Sequence, residues 1–247
     1  TPERFTGSDQ MLFLRDVYSL KNLSHPGLVE FLGIAFQSIN DRSIFQPTII
    51  TEYISSGSLR DMLDRLKRKK KYLNPTQKYQ LLLSLVDVMR YLHKNDIVHR
   101  NLKPTNILVD ENLRPHLSDY GVSRCFAQAI SDYVKETMTK REEIKDLVYM
   151  APEMLNSSNK FDPTVDVYSF AMIAYEILTG KRPFEDYGET ISPIALSLKI
   201  ASGLRPDLED DSINSKMREL LDKCWHRNVS DRPSFEEIFT YLTADLS

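Results

Sequence analysis

One segment of the chain has almost no polar face. Residues Asp166 to Thr179 are apolar on nearly every side of a helix, and Gly180 follows as a residue suited to ending it. A helix that is apolar all round is stable in water only when it is buried. Because the segment is too short to span a bilayer and is interrupted by Glu176, the sequence predicts a helix at the centre of a folded domain.

The size and composition of the chain suit such a core. The 247 residues are 41% hydrophobic, which is enough for one large domain or two smaller lobes. The net charge of −3 gives no global attraction to nucleic acid, so we expect no nucleic-acid partner. Cys125 and Cys224 form neither a disulfide framework nor a zinc-binding spacing, which favours a reducing compartment. We therefore expect a cytoplasmic protein without a membrane span.

Capping residues predict further helices around this central one. Asn74-Pro75 combines an N-cap with a proline suited to the first turn, and the helix that follows ends near Lys94-Asn95. Ser192-Pro193 begins another helix, and Ser234 with Glu237 forms a capping-box pattern that begins a third. The apolar residues that mark the buried face of the first of these helices are Leu82, Leu85, Val86, Met89 and Leu92.

The first 54 residues predict one helix and two strands. Asp9 to Leu23 has apolar residues at a spacing of three to four, which indicates an amphipathic helix. Leu28 to Phe36 and Pro47 to Tyr53 are rich in β-branched and aromatic residues, so they predict strands. The polar stretch from Gln37 to Gln46 predicts the loop between them.

Two polar motifs carry the chemistry of the chain. The first is His99-Arg100-Asn101-Leu102-Lys103-Pro104-Thr105-Asn106, and the second is Asp119-Tyr120-Gly121. They resemble the protein kinase catalytic domain, whose catalytic loop runs His-Arg-Asp-Leu-x-x-x-x-Asn and whose metal-binding segment runs Asp-Phe-Gly. Asn101 stands where that family has its aspartate.

The substitution at Asn101 removes the group that accepts the hydrogen bond of the substrate hydroxyl. A carboxylate suits that role because it is anionic and only accepts hydrogen bonds, whereas an asparagine amide has the same shape without the charge. General-base positioning contributes roughly 10²- to 10⁴-fold in rate. The resemblance therefore implies a domain that folds normally and transfers phosphate poorly. An active enzyme silenced by one introduced substitution would show the same residue.

Two further departures favour a catalytic centre that is degenerate by nature. Lys145-Asp146 precedes Tyr149-Met150-Ala151-Pro152-Glu153, at the place where serine/threonine kinases usually have Gly-Thr. Asp16 stands where the C-helix of the family has a glutamate that reaches the lysine of strand three. A single introduced substitution would change one of these positions and leave the others intact.

The resemblance also implies a nucleotide site and a metal site. Asn106 and Asp119 match the residues that hold Mg²⁺, which prefers hard oxygen ligands. Because no segment ahead of Asp9 resembles the glycine-rich phosphate loop or the strand-three lysine, we expect binding of ATP and Mg²⁺ to be weak or absent. Those segments either precede this sequence in the full protein or are missing from the natural domain. The residues predicted to contact the nucleotide are Thr51, as a small gatekeeper, with Glu52, Ile54 and Leu108.

The partner of Lys103 has two interpretations. In the family this lysine steadies the transferred phosphate, and its setting in Leu-Lys-Pro-Thr-Asn resembles the serine/threonine branch. Since Asn101 is neutral, one hypothesis pairs Lys103 with Asp146 and places an ion pair where a substrate hydroxyl would lie. The favoured interpretation is a surface lysine without a partner.

Other matches to the family are structural. Glu153 and Arg232 resemble its buried carboxylate and guanidinium pair, and Asp166 resembles the aspartate that accepts backbone hydrogen bonds from the catalytic loop. Segments resembling the tyrosine-kinase-like group are Asp166-Val167-Tyr168-Ser169-Phe170, Cys224-Trp225 and Asp231-Arg232-Pro233-Ser234-Phe235.

A run of positive charge lies between the predicted nucleotide residues at 51–54 and the helix that begins at Asn74-Pro75. Residues Arg65 to Lys71 include six cations in seven positions. Most such runs are solvated faces or loops, and the alternatives are a site for anionic lipid, an acidic partner or a localisation signal.

These features together predict an α+β fold of the two-lobed protein kinase type. Residues 1–54 are expected to form an incomplete small lobe with the C-helix and two strands, and residues 55–247 a mainly helical large lobe. The favoured function is a pseudokinase that binds protein partners as a scaffold or allosteric module. The alternatives are a serine/threonine kinase made inactive by truncation or by an Asp-to-Asn change, and a nucleotide sensor without catalysis.

Overall fold

A computed structural model of the chain describes residues 17, 20–38, 45–120, 144–156 and 162–244. Their strands pair as two separate antiparallel hairpins, each made of two consecutive strands, and most of the remaining residues are helical. Short 3₁₀ turns at Pro104–Asn106, Pro152–Asn156, Glu185–Thr190 and Val229–Asp231 connect the elements. In chain order the elements are β1 (Phe31–Ser38), β2 (Phe45–Thr51), α1 (Leu59–Arg68), α2 (Pro75–Lys94), β3 (Ile107–Val109), β4 (Pro115–Leu117), α3 (Ile144–Leu147), α4 (Thr164–Thr179), α5 (Pro193–Ala201), α6 (Ser215–Cys224) and α7 (Phe235–Thr243).

Helix α4 lies at the centre of the core, as its sequence predicts. Every residue from Val165 to Leu178 is buried, and the helix packs against α2 and α6. Gly180 ends it in the left-handed region at φ 71°, where its N–H donates to the carbonyl of Glu176 at 2.8 Å. The core therefore forms around one helix that has no solvent-facing side.

The capping residues also begin the helices that they predict. Asn74 caps α2 in a capping box with Gln77, and Ser234 caps α7 in the same way with Glu237. Ser192 caps α5. Helices α1 and α6, which the sequence analysis did not identify, begin with caps of the same kind at Ser58 and Asn214.

The two predicted strands are present with different ends. Strand β1 begins at Phe31 because Leu28 forms a parallel bridge with Leu117 instead. The β1–β2 ladder extends through Gln37 paired with Gln46, into the stretch predicted to be a loop. Main-chain hydrogen bonds hold a ladder together, so polar side chains do not end it. Tyr53 lies beyond β2 and is 87% exposed.

The segment ahead of β1 is attached to α2. Ser24 donates its N–H to the Tyr91 hydroxyl at 3.0 Å, and His25 Nε2 lies 3.3 Å from Asp87 Oδ2. Val17 and Leu20 are helical and buried, as the amphipathic pattern predicts. The other positions of the predicted helix up to residue 19, including Asp16, lie outside the described residues.

Within the part of the chain that the structure describes, no helix combines the length and the apolar character needed to cross a membrane.

A buried ion pair joins the turn at Pro152–Asn156 to the segment ahead of α7. Arg232 Nη1 and Nη2 donate to Glu153 Oε1 and Oε2 at 2.6 and 3.1 Å, so the two residues pair in a bidentate geometry. The Arg232 side chain is fully buried, and it also donates to the carbonyls of His226 and Thr164. Removal of the carboxylate would leave a buried cation without its anion.

We predict that Glu153→Ala lowers the free energy of unfolding by about 3 kcal/mol, because it leaves the fully buried Arg232 guanidinium without its anion. Urea denaturation followed by circular dichroism measures this change. Lys223→Ala is the control, since it removes an ion pair whose partners are both half exposed, and it is expected to leave the denaturation midpoint unchanged. Equal midpoints for Glu153→Ala and the unaltered protein would contradict the prediction.

Candidate active site

The carboxylate of Asp166 organises the start of the catalytic loop. Asp166 is fully buried in the first turn of α4, where Oδ2 accepts the N–H of His99 at 2.7 Å and Oδ1 accepts the N–H of Arg100 at 2.8 Å. His93 Nε2, on α2, lies 2.8 Å from Oδ2. These are the backbone hydrogen bonds that the sequence predicts, and they connect the loop to the central helix.

His99 connects the catalytic loop to the metal-binding motif. Its ring is buried, with Nε2 3.0 Å from the carbonyl of Ser118 and Nδ1 3.3 Å from the N–H of Asn101. Since Nδ1 accepts a hydrogen bond, the proton is on Nε2. Burial lowers the pKa of His99, so the ring is neutral at physiological pH. The neutral His99 ring therefore connects the catalytic loop to the segment that ends at Ser118 through hydrogen bonds.

Asn101 and Asn106 lie next to each other in the loop. The Asn106 side-chain nitrogen donates to the Asn101 carbonyl at 2.9 Å, and the Asn106 side chain is buried apart from a small fraction. This orientation leaves the Asn106 side-chain oxygen as the atom that can coordinate a cation. The main chain of Asn101 is thus held in the loop by a hydrogen bond that does not depend on the charge of its side chain.

The Asp119-Tyr120-Gly121 motif begins just after β4, at the end of the β3–β4 hairpin where Asn106 precedes β3. Ser118 donates its N–H to the Asn106 carbonyl at 2.9 Å. Asp119 follows with its backbone in the left-handed region at φ 57°, and the residue is exposed. One amide oxygen and one carboxylate suit Mg²⁺, which usually takes few ligands from protein and the rest from phosphate and water. Bound there, the ion would neutralise phosphate charge. Among the described residues, no group of three or more His, Cys, Asp and Glu side chains forms an alternative metal site.

Lys103 pairs with Asp146, an outcome that the sequence favoured less than a surface lysine without a partner. Its ammonium Nζ donates to Asp146 Oδ2 at 2.7 Å, with 15% of the lysine and 34% of the aspartate side chain exposed. Asp146 belongs to the short helix α3, three residues ahead of Tyr149. The cation beside Asn101 is therefore already paired with an anion of the same chain.

A second polar cluster was not identified from the sequence. The Tyr149 hydroxyl donates to Glu176 Oε2 at 2.5 Å, and Arg60 on α1 donates to Glu176 Oε1 at 2.6 Å. Burial, followed by the charge of Glu176, raises the pKa of Tyr149 well above its usual value. Glu176 is the carboxylate that interrupts the apolar helix, and a buried carboxylate requires such partners. The cluster fixes the segment after Asp146 against α1 and α4.

The predicted nucleotide residues lie on two elements that meet at a turn. Thr51 ends β2 with an exposed side chain, and its hydroxyl donates to the carbonyl of Glu52 at 3.2 Å. The turn after Ile54 reaches β3, where Ser58 forms a bridge with Leu108. The structure thus joins the segment that follows β2 to the strand that carries Leu108, whose side chain is half-buried.

Tyr120 attaches the metal-binding motif to the segment ahead of β1. The ring is buried, and the hydroxyl donates to the Val29 carbonyl at 2.8 Å. Burial raises the pKa of Tyr120 to about 12. Val29 in turn donates its N–H to the carbonyl of Leu117 at 3.0 Å. The replacement of the family phenylalanine by tyrosine therefore adds a hydrogen bond to a packing contact.

Nearly the whole chain is similar to known proteins of one family. Residues 2–242 match the family model described as protein tyrosine and serine/threonine kinase. The chain is 35% identical over 244 residues to serine/threonine-protein kinase VIK of Arabidopsis thaliana, covering 95% of this chain and 51% of that protein. It is 32% identical to serine/threonine-protein kinase STY17 of the same plant, covering 98% of this chain and 38% of that protein.

A relative from another kingdom shows a comparable similarity. Dual specificity protein kinase pyk3 of Dictyostelium discoideum is 35% identical over 237 residues, which cover 95% of this chain and 16% of that protein. The chain thus spans about half the length, or less, of these curated relatives.

We predict that Tyr120→Phe lowers the free energy of unfolding by about 1 kcal/mol at pH 7, because the buried Val29 carbonyl loses its donor. The folded pKa of about 12 lies above the ordinary tyrosine value near 10, so the contribution of Tyr120 is complete below pH 10 and is lost as the pH rises towards 12. The difference between the two proteins should therefore narrow above pH 10.

Urea denaturation between pH 7 and pH 11 measures this difference. Tyr53→Phe is the matched control, since the Tyr53 side chain is 87% exposed and its replacement should leave stability unchanged. A difference for Tyr120→Phe that stays constant over the whole pH range would contradict the role assigned to the buried hydroxyl.

Proposed function

Because this chain belongs to the protein tyrosine and serine/threonine kinase family, we propose that it is a kinase-like domain with a degraded catalytic centre that acts as a binding or allosteric signalling module. The observation that carries this proposal is the ion pair between Lys103 and Asp146, 2.7 Å long, beside the uncharged Asn101. The scaffold around these residues is intact, whereas their charges are unsuited to phosphoryl transfer.

The loss at Asn101 concerns the attacking hydroxyl. Phosphoryl transfer depends mainly on positioning and electrostatic stabilisation, and the aspartate of the family loop accepts the substrate proton. A neutral amide offers a weaker acceptor and can also present its N–H₂ donors to the hydroxyl. A general base is worth roughly 10²- to 10⁴-fold in rate, so this one change is expected to reduce turnover by that order.

The loss at Lys103 concerns the transferred phosphate. An ammonium group stabilises the phosphate best when its charge is not neutralised by a neighbouring anion. Asp146 neutralises it and places a carboxylate in the same region, where it would repel phosphate oxygens. Both changes act against the same transition state, which supports a binding function over a catalytic one.

The intact scaffold favours binding to other proteins. Asp166 holds the loop backbone, and Glu153 with Arg232 holds the turn at Pro152–Asn156. These contacts keep the folded surface of the domain in place without requiring catalysis. We expect partner proteins to bind that surface, so that the domain either assembles them as a scaffold or regulates them allosterically.

One alternative has an observation in its favour. The relatives from Arabidopsis are named serine/threonine kinases, and Asn106 and Asp119 have the oxygen-bearing side chains that Mg²⁺ prefers. A serine/threonine kinase with reduced turnover, or a nucleotide sensor that binds ATP without using it, would keep these two residues. Activity and nucleotide binding distinguish the three functions.

The kinase alternative predicts that Asn101→Asp combined with Asp146→Thr raises γ-phosphate transfer in the full-length protein by about 10²-fold or more, whereas the proposed binding module stays silent in both forms. Mass spectrometry of phosphorylated product after incubation with Mg·ATP measures this gain. Asn112→Asp is the matched control, because it makes the same chemical change in an exposed turn. Transfer by the unaltered protein at the rate of the double variant would contradict the proposal, and continued silence of the double variant would argue against the kinase alternative.

We predict that millimolar ATP with Mg²⁺ leaves the thermal unfolding of the full-length protein nearly unchanged. A nucleotide sensor would instead gain about 2.7 kcal/mol of stability at a ligand concentration 100 times its Kd. Differential scanning fluorimetry with and without Mg²⁺ measures this effect. A large Mg²⁺-dependent rise in the unfolding temperature that Asp119→Asn abolishes would contradict a pure scaffold and support a nucleotide sensor.

A further inference from the structure

A small pocket lies away from the active site, between the C-terminal half of α1, the loop into α2 and the end of α4. Its volume is about 190 Å³. Leu63, Leu66, Leu73 and Ile177 line its apolar part. A cavity of about 150 Å³ with such walls holds a benzene molecule, so this pocket can accept one leucine or phenylalanine side chain.

Four lysines surround the apolar walls. Lys67 pairs with Glu185, and Lys181 pairs with Asp210 at 2.9 Å. Lys78 donates to the carbonyl of Leu178 at 2.5 Å, and burial lowers its pKa. The fourth, Lys71, has no carboxylate partner within the ranges that the structure describes. The pocket thus has an apolar interior and a positively charged edge.

The positive charge continues along the chain beside the pocket. Residues 61–78 contain seven Lys or Arg side chains and two aspartates, a net charge of +5 in a chain whose total is −3. Helix α1 ends at Arg68, so Lys69, Lys70 and Lys71 lie in the connection to α2, and all three are exposed. Among the described residues no carboxylate pairs with the ammonium groups of Lys69 and Lys70 either. This local charge opposes the charge of the whole chain.

An aromatic side chain forms part of the edge. Tyr72 is 75% exposed, and its ring lies over Gly180, where an added Cβ would be 3.7 Å from two ring carbons. Exposed tyrosines of this kind are favoured at protein interfaces, because the ring buries a large area at a low cost in conformational entropy. The surface therefore combines an apolar pocket, an aromatic edge and a group of exposed cations.

We propose that this surface binds an acidic segment of a partner protein, with one apolar side chain in the pocket and carboxylates against Lys69, Lys70 and Lys71. Charge complementarity selects an anionic partner. The concave shape selects a protein segment over a membrane, since membrane-binding surfaces insert protruding apolar side chains into the bilayer. The surface uses none of the residues of the active site, so its test does not depend on whether Asn101 silences catalysis.

Fluorescence anisotropy with the full-length protein tests this proposal. The probe is a fluorescein-labelled peptide with one leucine flanked on both sides by glutamates. Lys71→Glu is expected to weaken binding about tenfold, because it removes one attractive charge and adds a repulsive one. Lys199→Glu is the matched control on α5 and should change the affinity by less than about twofold, since it is exposed and lies away from the pocket.

A second peptide, in which serine replaces the leucine, tests the pocket without changing the protein. Burial of a leucine side chain is worth tenfold or more in affinity, so this peptide should bind about tenfold more weakly. Equal binding of the two peptides, or equal losses for Lys71→Glu and Lys199→Glu, would overturn the proposal. Binding to phosphatidylserine vesicles without saturable peptide binding would overturn it too, in favour of a membrane surface.

Discussion

The buried carboxylate of Asp166 is the contact on which the geometry of the site depends. It accepts two backbone N–H groups of the catalytic loop and lies beside His93, and it stands on the helix around which the core forms. A buried carboxylate is costly unless such donors surround it, so the loop and the core stabilise each other. The donors are main-chain atoms of His99 and Arg100. The shape of the loop therefore does not depend on which side chain follows at position 101.

This separation explains how a kinase fold can keep its architecture while its chemistry changes. Replacing a carboxylate by an amide of the same shape at Asn101 leaves the loop backbone in place. The pair between Lys103 and Asp146 adds a local contact at the point where phosphate charge would be stabilised. Charges can thus be lost at the centre while Asp166, and the pair of Glu153 with Arg232, continue to hold the scaffold.

The sequence predicted those parts of the structure that have a local signal. Helices α2, α4 and α7 follow from caps and from apolar periodicity, and the ion pair of Arg232 with Glu153 follows from family positions. The pair of Lys103 with Asp146 was the less favoured of two interpretations, because Asp146 departs from the family pattern. The hairpin of β3 and β4 was missed because strands of three residues are too short to show a period. The cluster of Tyr149, Glu176 and Arg60 was missed because its members lie far apart in sequence, although an acidic residue in an apolar helix was its signal.

The most direct measurement of the central claim is the single-turnover rate of γ-phosphate transfer by the unaltered full-length protein, followed by rapid quench at saturating Mg·ATP. Asn101 and the ion pair of Lys103 with Asp146 predict a rate at least about 10²-fold below that of kinases with intact centres. Kinases with intact centres typically turn over at about 1 to 100 s⁻¹. Product formation in that range would contradict the account, because it would show that the uncharged loop still supports catalysis.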